Sequence, residues 1–155
     1  FGFLMGAQGL GAMTGALSLA LSLAFVPSQA SGRRQFWFGL AWAVFLLGFS
    51  VSPWLPLSLL LMYLAGVTQM WFLTTANSRV QKATPDRLRG RVMAFYAQAV
   101  MGVGPLGATQ AGALASLLGP PAAMAVGAGL SAVVLLGVRL LTPAAFTLEP
   151  DDYPT

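Results

Sequence analysis

The sequence predicts an all-α integral membrane protein with five transmembrane helices, and three observations predict it. The chain is 57% hydrophobic and only 8% charged, with a mean hydropathy of +0.75; soluble domains carry about 25% charged residues. A core built from 155 residues could not hide so much apolar surface from water. Charges then divide the chain, because residues 1–32, 35–78 and 92–138 contain none. Finally, the two longer runs are interrupted near their middles by "VSPWLP" at 51–56 and "LLGPPA" at 117–122. Proline there removes backbone donors and marks a helix boundary. A spanning helix needs about 20 apolar residues, so each longer run is two helices. The runs are continuously apolar rather than alternating, which argues against a β-barrel.

The first span, over about 3–26, carries Ala7, Gly11, Gly15, Ser18 and Ser22 on one side at helical spacing. Such a stripe lets a neighbouring helix approach closely. Phe1 opens the chain without a basic leader, so this run reads as a span rather than a signal peptide, and the chain reads as one entered partway through. A loop ending in Arg33 and Arg34 leads to the second span at 36–52, and the first proline turn leads to the third at 55–77. The third span holds Thr68, Gln69, Thr74, Thr75 and Asn77. Gln69, beside Met70, Trp71 and Phe72, is the best candidate to contact an amphipathic organic solute.

Next comes "NSRVQKATPDRLRGRVMAFY", residues 77–96, with Arg79, Lys82, Arg87, Arg89 and Arg91. "ATPDRLRGRV" has the form of a helix start, in which Thr84 caps, Pro85 occupies the first helical position and Asp86 complements the N-terminus. Arg87 and Arg91 share a face, Arg89 stands three residues after Asp86 as a candidate ion pair, and Gly90 leaves room for a neighbouring segment. The fourth span, 87–117, offers Tyr96 and Gln98 as polar candidates for a path, as the first span offers Gln8 and Thr14. It also repeats the small-residue stripe at Gly104, Ala108, Ala111 and Ala115. Pro105, with Gly102 and Gly104, removes or weakens intrahelical bonds and forms a candidate flexing point. The fifth span, 121–141, ends at its Arg139 turn, and "TPAAFTLEPDDYPT", residues 142–155, is expected to be a short disordered tail.

The basic residues flank hydrophobic runs, which is the pattern of topology signals rather than of a nucleic-acid surface. The positive-inside rule places both basic loops and the C-terminus in the cytoplasm, and both proline turns outside. With no cysteine and no histidine, this chain has no disulfide, Cys/His metal site or histidine-dependent catalytic triad. A rhomboid-like serine protease site is excluded for the same reason. No phosphate-binding GxxxxGK[ST] loop occurs, and neither a cofactor nor a metal is expected. No acidic residue lies within a span, and no charge of either sign within the apolar part of one, so the chain supplies no intramembrane carboxylate for a proton relay.

"PDRLRGRVMAFY" followed by "GVGPLGATQAGALA" resembles the tenth-to-eleventh helix region of major facilitator superfamily exporters. The similarity is greatest to the bacterial branch that includes the enterobactin exporter and related drug and siderophore efflux proteins. "FVPSQASGRRQFW" keeps Gly32, Arg33 and Arg34 of that family's loop signature, but has Gln29 at the acidic position and Phe25 at the leading glycine. Gly104 and Pro105 echo its GPxxGG pattern, whose closing glycines are here Ala108 and Thr109. The resemblance implies a twelve-helix fold in two halves, of which residues 1–141 would be helices eight to twelve. It further implies a proton-driven efflux transporter of the inner membrane. The partners would be membrane lipid, a small-molecule substrate and the N-terminal half of the same transporter. Arg33, Arg34, Asp86, Arg87, Arg89, Gly90 and Arg91 would then belong to the cytoplasmic gate. A non-transporting scaffold or permease subunit is the alternative.

Overall fold

The computed structural model describes residues 2–21 and 32–142. Five helices follow one another: α1 (Gly2–Ala20), α2 (Gly32–Val51), α3 (Leu55–Lys82), α4 (Asp86–Leu118) and α5 (Pro120–Leu141). No strand occurs among the described residues. All five are long and apolar enough to cross a membrane. The loop that was to hold Gln29 and Phe25, the end of the first span including Ser22, and the tail from residue 143 lie outside the described residues.

The chain runs up and down. The starts of α1, α3 and α5 and the end of α2 meet around one cavity, lined among others by Leu4, Phe49, Ser58 and Pro121. The basic residues therefore gather at the opposite end. Both expected proline turns form at the cavity end. In the first, Ser52 to Trp54 leave the helix, and the Ser58 hydroxyl donates to Ser52 Oγ at 3.1 Å. In the second, Gly119 alone joins α4 to α5 with φ 84°, a left-handed conformation that suits glycine.

Helix α3 is the centre of the packing. It lies against α1 on one side and α2 on the other, while α5 packs on α2 and α4 rests on α5. The α1–α3 seam is a backbone-to-backbone contact. A Cβ at Gly11 would collide with the Tyr63 backbone, and one at Gly15 would stand 3.0 Å from the Val67 carbonyl oxygen. Gly66 answers from α3, where a Cβ would strike the Gln8 carbonyl and come within 2.9 Å of the Ala12 nitrogen. The small-residue stripe of α1 therefore does what its spacing implies. The matching stripe of α4 does not, because no described atom comes within 4 Å of a Cβ built at Gly104. Ala108 is likewise exposed, and only Ala111 and Ala115 face a neighbour, across a cavity shared with α2 and α5.

The buried apolar set is small: Phe36, Ala43, Met62, Ala65, Ala123 and Ala128. Large apolar side chains such as Phe95, Met101 and Leu106 are exposed instead. That inversion suits lipid as solvent, since lipid tails compete with side chains for apolar contact. No residue of α4 is buried.

Two helix boundaries differ from expectation for one reason. α2 starts at Gly32 and α3 continues to Lys82, so Arg33, Arg34, Arg79 and Lys82 are helical rather than in loops. Backbone hydrogen bonding does not stop where apolarity stops, and arginine stems can carry their charge to the interface.

Candidate functional site

The basic end is built from four helix termini, two of them joined by one elbow. α3 closes on Ala83, whose N–H donates to the Arg79 carbonyl at 2.9 Å. The expected cap at Thr84 is not made. Its hydroxyl donates back to the Val80 carbonyl at 2.6 Å, closing α3 rather than opening α4, and Pro85 takes the N-cap position with no side-chain cap. Threonine can bond to the carbonyl four residues back, and here that local partner wins. Asp86 does open α4, and Arg89 pairs with it at 2.6 Å. Both side chains are exposed, so the pair orders the elbow more than it stabilises the fold. Arg87, Gly90 and Arg91 are also exposed, and no described segment approaches Gly90.

The second basic group belongs to α2. Gln35 accepts from Arg79 Nη1 at 2.8 Å, tying the end of α3 to the start of α2 beside Arg33 and Arg34. From α5, the Arg139 guanidinium lies 4.7 Å over the Phe36 ring.

A polar seam follows the α1–α3 contact. Gln8 Nε2 donates to Gln69 Oε1 at 3.3 Å, Thr14 Oγ1 bonds Tyr63 Oη at 2.9 Å, and Trp71 Nε1 donates to Ser18 Oγ at 3.0 Å and to the Gly15 carbonyl at 3.2 Å. Each polar side chain thus finds a partner across the seam, as bilayer burial requires. Of the path candidates, Gln69 and Trp71 come together here. Asn77, lower on the same helix, accepts from Gln81. Tyr96 and Gln98 lie on α4, which barely touches α3, and are not brought to this seam. Gly102, Gly104 and Pro105 lie in a stretch of α4 that stays helical throughout, with Thr109 Oγ1 bonding the Pro105 carbonyl at 2.9 Å.

Sequence reasoning did not find Tyr63, Ser18, Gln35 or the Arg139–Phe36 stack as partners. It also did not find Trp42, whose indole nitrogen is the one buried side-chain polar atom without a partner among the described residues. A buried tyrosine or tryptophan usually needs an acceptor, and that rule was the available signal. A double-mutant cycle with Gln8→Leu and Gln69→Leu should give a coupling of about 0.6 kcal/mol, the ordinary size of an interhelical hydrogen bond in a membrane. Thermal unfolding in detergent measures it, and additive losses would show that the two amides do not interact.

A family model described as transmembrane secretion effector matches residues 1–152. The chain belongs to this major facilitator superfamily family. No curated protein and no solved structure matches it. Membership makes the chain part of a multi-pass membrane transporter family rather than an enzyme family, and it agrees with the five apolar helices.

Proposed function

We propose that the protein is a secondary transporter that exports a small organic molecule, such as a drug or siderophore, by proton-driven alternating access. The five helices would be helices eight to twelve of a twelve-helix transporter, with the N-terminal half as partner. The basic end would face the cytoplasm across the inner membrane. Alongside the family match, the carrying observation is α4: 33 residues, none buried, beginning at a charged elbow and carrying Pro105 within its length. A helix that leaves its polar Tyr96 and Gln98 unpacked against α3 suits a surface completed by another half that moves against it. The enterobactin-exporter-like "PDRLRGRV" elbow supports export over import. On this reading Arg87, Arg89 and Arg91, with Arg33 and Arg34, hold the cytoplasmic gate, and Gln69 and Trp71 border the path.

The test is dye or siderophore efflux from proteoliposomes that hold these helices together with the N-terminal half, under an imposed proton gradient. No movement in either direction, with the helices intact, would favour the scaffold or permease-subunit reading. Coupling is expected to use carboxylates outside this chain. Neutralising Asp86, Glu149, Asp151 and Asp152 together should leave the coupling of efflux to protons largely intact, apart from any gating effect of Asp86, because none lies inside a charge-free apolar run. Loss of coupling on neutralising Glu149, Asp151 and Asp152 alone, in folded protein, would overturn that assignment.

A further inference from the structure

All eight cations lie at one end of the bundle, where α2 and α4 begin and α3 and α5 end. The one ion pair among the described residues is Asp86–Arg89. Away from that elbow, Arg139 reaches α2 from α5, and Arg33 stands on α2 one turn before the ring that Arg139 meets. Arg139 is placed by an aromatic ring: its guanidinium lies over Phe36, a residue only 3% exposed. Stacking occupies the face of the guanidinium and leaves its edge N–H groups for an oxyanion, a division of labour lysine cannot match. Arg33, one helical turn before Phe36 and Trp37, is exposed.

About one turn further along each helix from these cations, the exposed side chains are apolar. Trp37 stands edge-to-face on Phe36 at 5.5 Å and is 53% exposed, and Leu136 on α5 is 44% exposed. Cations at the helix ends, followed inward by an exposed apolar wall, match the shape of a phospholipid in both charge and depth. A soluble anion would use only the first half of this surface.

We propose that the α2–α5 seam binds an anionic phospholipid, its phosphate against Arg139 and Arg33 and an acyl chain along Trp37 and Leu136. Charge complementarity selects an anionic headgroup over a zwitterionic one. The site is separate from the α4 elbow and does not depend on the transport reading.

Trp37 is the reporter. The protein is reconstituted in phosphatidylcholine vesicles containing brominated phosphatidylglycerol or brominated phosphatidylcholine, and the quenching lost in Trp37→Phe isolates that ring. Brominated phosphatidylglycerol should quench it at lower mole fraction. Arg33→Gln with Arg139→Gln should reduce the preference by about twenty-five-fold, taking each base as roughly five-fold. Arg87→Gln with Arg91→Gln, which removes equal charge from the same end, should leave it unchanged. Arg33→Gln alone, at an exposed position, keeps the test alive if the Arg139 variant does not fold. Equal quenching by the two lipids would overturn the proposal. So would equal losses in both double variants, which would mean a diffuse surface potential. Displacement by soluble glycerol phosphate would make the seam a general anion site. Preference appearing only after truncation beyond Thr142 would assign the seam to the acidic tail instead.

Discussion

Gly66→Ala is expected to lower the melting temperature of the detergent-solubilised protein sharply and to reduce the yield of folded material. On an exposed helix the same substitution would stabilise, by up to about 1 kcal/mol, through helix propensity. Here the added methyl would strike the Gln8 carbonyl and stand 2.9 Å from the Ala12 nitrogen. Both are backbone atoms, so no rotamer change relieves the clash, and α1 must move away from α3. Overpacking costs about 1–3 kcal/mol where side chains can adjust, and a backbone obstruction belongs at the upper end. Separation would also stretch the Gln8–Gln69, Thr14–Tyr63 and Trp71–Ser18 bonds along the same seam. Gly107→Ala is the matched control, since no described atom lies within 4 Å of its added carbon. Fluorescence-detected gel filtration after heating reads both variants. Equal melting for the two would mean that the α1–α3 approach is looser than the structure places it.

This pair of glycines also shows what could be read from sequence. Charge-free runs and two proline turns were enough to count five helices, because hydropathy and proline act locally. The stripes on α1 and α4 look alike in sequence, yet only Gly11 and Gly15 meet another backbone. A stripe declares that close approach is possible, not which helix will come. The basic elbow was legible for a similar reason: Asp86 and Arg89 are one turn apart on the same helix. Thr84 was misjudged because two local acceptor arrangements competed, and the Val80 carbonyl took its hydroxyl. Trp71 was recognisable as a polar-tipped aromatic, but its acceptor on Ser18 depends on how α1 and α3 are placed. The stack of Arg139 on Phe36 joins α5 to α2 and has no local trace at all.

Replacing Arg89 and Arg91 together by lysine is expected to leave membrane insertion normal and to slow efflux by about ten-fold, the effect of roughly 1.4 kcal/mol on the balance between conformations. The charge count is unchanged, so a pure topology signal would be preserved. Arginine differs from lysine in its planar fork, which can grip two acceptors at once, such as carbonyls or a carboxylate of the opposing half. Arg89 already spends one guanidinium nitrogen on Asp86 at 2.6 Å, which leaves its other donors directed from an ordered elbow. Arg91 is exposed two residues later with no described partner. If these donors hold the gate in only one state, lysine loosens that state and shifts the population towards the inward-open form. The chain has no cysteine, so single reporters can be introduced at Ala83, on the elbow, and at Leu118, beside the opposite turn, once any cysteines elsewhere in the transporter are removed. Both positions are exposed. Labelling at Ala83 should rise and labelling at Leu118 should fall in the lysine variant. Unchanged efflux with unchanged labelling at both positions would leave the arginines as topology signals, because a gate that tolerates the loss of every bidentate contact was never held by them.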